Sequence, residues 1–169
     1  MTCEVSIVLP FYNEEGNAER VIADIVQILV SQKKDYEIVA VNNGSRDKTA
    51  EILQRIQKKN SYLKICTVEV NQGYGYGIRQ GLMIATGKKI GYMWGDGQVG
   101  PQVLIPLLQS LDRPEIGLAK VTRYDKNGYS IIRQIASAGY NSLFMILFGV
   151  KSNDINGCPK LLKKEVYDI

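Results

Sequence analysis

The chain has 169 residues, 45% of them hydrophobic and 22% charged, with a formal net charge of +4. That balance describes a globular unit long enough to bury a real core, and the mild positive charge suits an anionic ligand or an acidic membrane surface but excludes nucleic acid as the expected partner. There is no histidine, which removes a Ser-His-Asp or Cys-His engine and a His-ligated zinc, and leaves acid–base work to carboxylates, Lys or Tyr.

Residues 4–10 (Glu-Val-Ser-Ile-Val-Leu-Pro) form a β-rich apolar run, read as a buried parallel strand. A polar loop over 11–16 follows, Asn17 is positioned to cap the next helix, and Val21, Ile22, Ile25, Val26 and Leu29 recur at helical spacing. Residues 36–41 read as a second strand, 42–47 as a polar loop with Asp47 as N-cap, and Ile52, Leu53 and Ile56 as the apolar face of the next helix. A third strand is expected over 63–68, a glycine-rich loop over 71–77, and a helix over 78–86 closed by Gly87. The apolar run 89–94 then leads into Gly95-Asp96-Gly97-Gln98, and Pro101 opens a helix to Leu111 whose middle is strained by Pro106. A strand over 115–121, a loop to Gly128, a long helix over 129–148, an irregular stretch over 152–160, a short strand and a new helix complete the chain.

Alternating strands and helices imply right-handed βαβ units: an α/β fold with a mostly parallel sheet and helices on both faces. The three cysteines, Cys3, Cys66 and Cys158, show no paired spacing, which points to packing roles in a reducing, cytoplasmic compartment. No signal peptide or bilayer-length apolar run is present. The sequence reads as one domain over 1–169 that stops inside a fresh helix, as expected of a fragment of something longer.

In such a sheet the loops after successive strands open on one edge, where ligands bind. Those loops carry Tyr12, Asn13 and Glu14, then Asn42 to Ser45, then Asn71 and Gly73, then Asp96 and Gln98, then Arg123. Amides, a carboxylate, glycines and an arginine suit a nucleotide diphosphate. Asn43 can hydrogen-bond a base or ribose, Arg123 can fork onto phosphate, and Asp96 with Gln98 offers oxygen ligands to a hard divalent cation bridging phosphates. The glycines at 73, 75, 77 and 81 have the wrong spacing and the wrong strand for a dinucleotide fingerprint.

Taken together, the segments resemble family-2, GT-A-type glycosyltransferases, and within them the polyprenyl- or dolichyl-phosphate sugar synthases. The likeness runs in order through nearly the whole chain. Residues 5–14 resemble the opening strand and P-x-Y-N-E loop, 41–49 the V-D-D-G-S-x-D-x-T segment, and Asn71-Gln-Gly73 with Gly81 and Ala85-Thr-Gly87 the N-x-G…G…A-x-G helix. Trp94 to Gln98 lies over the metal-binding D-A-D-G-Q, Thr122-Arg-Tyr124 over S-R-Y, and Arg133, Ser137 and Asn141 over R-x-x-x-S-x-x-x-N. Asp154 to Lys160 resembles a segment in which an Asp and a basic residue face donor and acceptor.

The resemblance implies inverting transfer of a sugar from a nucleotide-diphosphate donor, with Mg or Mn as cofactor and a lipid phosphate at a membrane surface as a candidate acceptor. Carried over residue by residue, it assigns nucleotide contacts to Pro10, Tyr12, Glu14, Asn43, Gly44, Ser45, Asn71, Gly73 and Asp96. Metal ligation falls to Asp96 and Gln98, and catalysis to Asp96, Asp154, Arg123 and Arg133. Asp154 is the candidate base for a hydroxyl acceptor, while an anionic lipid phosphate needs none. Two departures stand out: the paired aspartates of the second loop are Asn42 and Asn43, and the first Asp of the D-x-D is Trp94. Trp94 either stacks on a sugar or base or fills the core, with the core favoured.

The run Leu143 to Phe148 is apolar on nearly every face. It fits a membrane or lipid tail, making the protein peripheral to a membrane, and equally a missing C-terminal segment, a second subunit of a homo-oligomer, or burial in the core. A non-catalytic nucleotide-sugar-binding module and a purely structural α/β domain stay open beside the enzyme. A nucleotidyltransferase is disfavoured by the acidic, aromatic loop after the first strand.

Overall fold

The computed structural model of the chain describes residues 3–122, 131–149 and 154–168, apart from the side chains of residues 131 and 133–135. The opening apolar run becomes the strand β1 (Val5–Phe11), buried along its whole length. Its neighbours are β2 (Tyr36–Asn43) and β4 (Lys89–Tyr92), both parallel to it. With β3 (Leu63–Val68), β5 (Leu118–Lys120) and β6 (Lys160–Lys163) they form a six-stranded sheet in the order β3-β2-β1-β4-β6-β5. β6 pairs antiparallel with both β4 and β5, so the sheet is mostly parallel with one reversed strand inserted near its edge.

Side-chain alternation along each strand feeds two cores. On one face, Val5, Ile7, Leu9 and Phe11 of β1 and Ile38 and Ala40 of β2 meet α1 (Ala18–Ser31), α2 (Thr49–Gln57) and α4 (Leu104–Leu111). On the other, Val8 of β1 and Val39 and Val41 of β2 meet Ile78 and Leu82 of α3 (Tyr74–Ile84). Both faces of β1 are thereby dry. Each fully buried aliphatic side chain contributes about 1.5–3 kcal/mol, which makes β1 the most heavily anchored element. Among the described residues the three cysteines are free, and no helix is long and apolar enough to cross a membrane.

Several sequence expectations shift. Strand pairing ends at Tyr92, so residues 93–94 belong to the loop rather than to the strand. α3 starts at Tyr74, inside the expected glycine loop. Pro101–Val103 form a separate 3-10 turn, so Pro106 falls in the first turn of α4, where a missing N–H is harmless, and strains nothing. Asn17 makes no side-chain cap bond; its amide donates to Glu14 Oε2 (2.8 Å). Asp47 sits one residue before the N-cap of α2, and its Oδ1 still accepts from Thr49 N–H (3.0 Å). α5 (Ile131–Phe148) is not a core helix: Ile132 is 80% exposed, Ile146 76% and Phe148 63%.

At the edge opposite the strand ends, Glu37 is 5% exposed. Its carboxylate accepts from Ser6 Oγ (2.6 Å), Thr86 N–H (2.6 Å) and Thr86 Oγ1 (3.0 Å), and pairs with Lys64 Nζ (2.5 Å). Burial works to raise its pKa, but Lys64, Ser6 and Thr86 together hold it below its ordinary value of 4.5. A depressed carboxylate stabilises the fold above its unfolded pKa, and that stabilisation is lost as pH falls through the folded value. Glu37→Gln is therefore expected to lower the unfolding free energy by about 2–3 kcal/mol at neutral pH. In urea titrations the gap to wild type should narrow below pH 4.5; a gap constant with pH would show that the charge is not what matters.

Candidate nucleotide site

The chain runs from β1 outward through β2 and β3, then returns to place β4 on the other side of β1. The β1/β4 boundary is thus where the strand order reverses, and the loops after these two strands diverge around a crevice. A cleft of ≈ 350 Å³ lies there, lined by Pro10, Tyr12, Glu14, Tyr74, Trp94, Gly95, Asp96 and Gln98.

Each wall is held by local chemistry. The loop after β1 is laced to the loop after β2. Asn13 N–H donates to Ser45 Oγ (3.2 Å) and Arg46 N–H to Asn13 Oδ1 (2.8 Å). Glu14 N–H donates to Thr49 Oγ1 (2.9 Å), Glu15 N–H to Asp47 Oδ2 (3.0 Å), and Lys48 N–H to Glu15 Oε2 (2.9 Å). Asp47 is consequently held below the usual carboxylate range: partial burial works upward, but the Thr49 hydroxyl and the Thr49 and Glu15 N–H groups outweigh it. This lacing fixes Tyr12 and Glu14 in place. On the other side, Met93 N–H donates to Val8 O (3.0 Å), and Gly95 lies so close to β1 that a Cβ there would stand 2.6 Å from both Phe11 Cδ1 and Pro10 O. Met93 and Gly95 turn inward, and Trp94 between them lines the cleft, partly buried. The core role expected of Trp94 is therefore incorrect. The strand pairing has already ended, and the pinned backbone presents the indole to the crevice.

Asn43 and its neighbours stand behind this surface. Asn43 is 3% exposed; its amide donates to Gly73 O (3.2 Å) and Asn71 Oδ1 (3.4 Å), and its own Oδ1 has no hydrogen-bond partner. It holds the 71–73 turn at the start of α3. Gly44 adopts φ +74 and approaches within 2.6 Å of Asn71 N measured from an added Cβ, so a side chain there is excluded twice. Ser45 and Asn42 are joined by Ser45 N–H to Asn42 Oδ1 (3.2 Å). Pro10, Tyr12, Glu14, Asp96 and Gln98 thus meet in one cleft, whereas Asn43, Gly44, Ser45, Asn71 and Gly73 shape the loops beside it. Arg123 and the side chain of Arg133 lie outside the described residues. Asp154 is 2% exposed and is not among the cleft's lining; its carbonyl accepts from Lys120 Nζ (2.5 Å).

Tyr74 is a lining residue that sequence reasoning passed over. An aromatic among glycines at a helix start was the available signal. Its hydroxyl lies 3.9 Å from Cys158 Sγ, which in turn is 3.9 Å from Tyr92 O. Burial above all pushes the Cys158 thiol up to about 11, the Tyr92 phenol up to about 12, and the Tyr74 phenol upward as well. The buried, raised Cys158 thiol suits a packing role.

The donor set for a cation is sparse. Asp96 Oδ1 accepts from Gln98 N–H (3.0 Å), and both Asp96 and the exposed Gln98 line the cleft. Among the described residues no group of three or more His, Cys, Asp or Glu could hold a metal ion. One carboxylate with an amide does fit Mg²⁺ or Mn²⁺ shared with phosphate oxygens and water. It does not fit an ion held by protein alone.

The profile of glycosyl transferase family 2 matches residues 6–168, and the chain belongs to that family. Among curated relatives it is 29% identical over 166 residues to an uncharacterized glycosyltransferase of Synechocystis sp. (98% of this chain, 52% of that protein). It is 28% identical over 164 residues to the dodecaprenyl-phosphate galacturonate synthase of Rhizobium johnstonii (96% and 48%). The chain thus spans about half the length of these relatives. Among solved structures it resembles a mannosyltransferase from Pyrobaculum calidifontis in complex with GDP-Man and Mn²⁺ (TM-score 0.69, 17% identity, 99% of this chain and 46% of that one). It also resembles the glucosyl-3-phosphoglycerate synthase of Mycobacterium tuberculosis in complex with Mn²⁺, UDP-glucose and phosphoglyceric acid (TM-score 0.69, 20% identity, 97% and 58%). At these identities the structures establish the fold, a GT-A-type α/β sheet.

The sparse donor set generates a direct prediction. In Mn²⁺ titrations followed by the electron paramagnetic resonance of the free ion, the chain alone should leave the signal unchanged. Adding UDP or GDP should lower it beyond a nucleotide-only control. Tight Mn²⁺ uptake without nucleotide would mean a protein-only site that is not found among the described residues.

Proposed function

We propose that the chain is the donor-binding and catalytic domain, over residues 1–169, of an inverting glycosyltransferase that moves a sugar from a nucleotide diphosphate to an acceptor, with a polyprenyl phosphate as the acceptor class. The observation that carries this reading is the convergence of Pro10, Tyr12, Glu14, Asp96 and Gln98 on one cleft at the β1/β4 reversal. Family membership, the sugar-nucleotide and Mn²⁺ complexes of the structural neighbours, and the polyprenyl-phosphate relative support it.

In this reading the nucleoside enters beside Tyr12 and Glu14, and the diphosphate lies toward Asp96. Asp96 Oδ2 and the Gln98 amide would hold Mg²⁺ or Mn²⁺ against the two phosphates. When bound, that cation neutralises charge developing on the leaving diphosphate. The acceptor oxygen attacks the anomeric carbon on the face opposite the diphosphate. The new C–O bond forms as the old one breaks, and its electron pair leaves with the nucleoside diphosphate. A lipid phosphate brings an oxygen that is already anionic, so no proton need move, which suits a chain without histidine. A hydroxyl acceptor would have to pass its proton to a base, and the sealed position of Asp154 disfavours that route. Exposed apolar side chains along α5, which is tied to the 154–158 segment through Ile155 N–H to Asn141 Oδ1 (3.2 Å), suit a peripheral position at a lipid surface.

One observation favours a second reading. Trp94 stands in the cleft where the family pattern has a carboxylate, which fits a nucleotide-sugar-binding module without turnover. Calorimetry with UDP- and GDP-sugars plus Mn²⁺ should give binding that Asp96→Ala weakens at least tenfold, and product should form with polyprenyl phosphate. Binding with no product on any acceptor would select the module. Binding indifferent to Asp96→Ala and to Mn²⁺ would remove the proposed metal role.

A further inference from the structure

The cleft is poorly charged for the ligand it is proposed to take. Its described lining holds the carboxylates of Glu14 and Asp96 and no lysine or arginine. Against these described residues a diphosphate meets like charge, which a bound cation would relieve. Contacts that do not depend on charge are what the described lining has to offer a nucleotide. The same lining supplies three aromatic side chains, Tyr12, Tyr74 and Trp94. The backbone of Trp94 is pinned on both sides, by Met93 N–H on Val8 O and by the contact of Gly95 with Phe11 and Pro10, as that of Tyr12 is by Phe11 and Asn13. Among the described residues its indole has no ring partner and no side-chain hydrogen bond. It is a large, partly exposed aromatic side chain in the lining of the crevice.

We propose that Trp94 is a donor-contacting residue: its indole forms the wall against which the nucleoside of the bound donor packs. This rests on the nucleotide-donor reading of the cleft and adds to it the residue that supplies binding where coordination is thin. Base–aromatic stacking is worth about 1–3 kcal/mol by alanine substitution, so removing the ring should raise Kd about tenfold or more. Stacking tolerates different bases because every base has a π-face. The contribution of Trp94 should therefore be similar for uridine and guanosine nucleotides, leaving choice between them to polar groups elsewhere in the cleft.

The test is direct because Trp94 is the only tryptophan in the chain. UDP and GDP, with Mn²⁺, are titrated while indole fluorescence is followed, and binding is measured independently by calorimetry on wild type, Trp94→Phe and Trp94→Ala. Expected are saturable quenching with a Kd matching calorimetry, near-wild-type affinity in Trp94→Phe, and about tenfold or greater loss in Trp94→Ala. The wild-type signal needs no variant, so a misfolded Trp94→Ala does not decide the matter. Calorimetric binding with unchanged fluorescence and unchanged affinity in both variants overturns this inference and leaves the donor site standing. A fluorescence response to UDP- or GDP-sugars but not to UDP or GDP also overturns it, because the ring then meets the sugar. No calorimetric binding of any nucleotide overturns the donor reading and this inference together.

Discussion

Burial of β1 on both faces is the constraint from which the rest of the structure follows. Seven consecutive buried residues can be satisfied only at the middle of a sheet, with partners on both edges and helices above and below. Once β1 is central, β2 and β3 extend one way and β4 must pair on the other side. That reversal leaves the loops after β1 and β4 with no reason to follow one another, and a crevice opens between them. The position of the cleft is thus a topological consequence, independent of what its side chains do.

What fills the crevice is decided by how the loops are tied. The lacing of residues 13–15 to 45–49 uses backbone N–H groups against short polar side chains, so Tyr12 and Glu14 are placed by bonds made by their neighbours. Opposite them, the contact of Gly95 with Phe11 and Pro10 fixes Trp94 and Asp96. Asn43 acts from behind, bracing the 71–73 turn. The amides that replace the family's paired aspartates therefore serve loop geometry in this chain, a role for which donors as well as acceptors are useful.

Much of the fold was legible because strand and helix periods were clean. The runs expected as strands over 4–10, 36–41 and 63–68 became β1 (Val5–Phe11), β2 (Tyr36–Asn43) and β3 (Leu63–Val68), and Asp96 and Gln98 fell in the loop after a strand end as their flanking glycines suggested. What was hidden depended on pairing rather than pattern. The apolar run 89–94 looks continuous, but only the neighbouring strands reveal that pairing stops at Tyr92, which turns Trp94 from core to cleft. The reversal of β6 carries no local signature, since Lys-Leu-Leu-Lys reads alike in either direction. The buried role of Glu37 depends on Ser6, Lys64 and Thr86, which arrive from three other segments. The apolar sides of α5 promised a partner without saying which, and the structure leaves them exposed.

A crystal structure of the chain with a nucleoside diphosphate and Mn²⁺ tests the central claim most directly. The account predicts a diphosphate at the C-terminal ends of β1 and β4, the cation within about 2.0–2.2 Å of an Asp96 oxygen in the range of small octahedral cations, and the nucleoside between the loop at Tyr12 and the indole of Trp94. A nucleotide seated elsewhere, such as against Lys88, Lys89, Lys163 and Lys164, or a cation with no bond to Asp96, would contradict it.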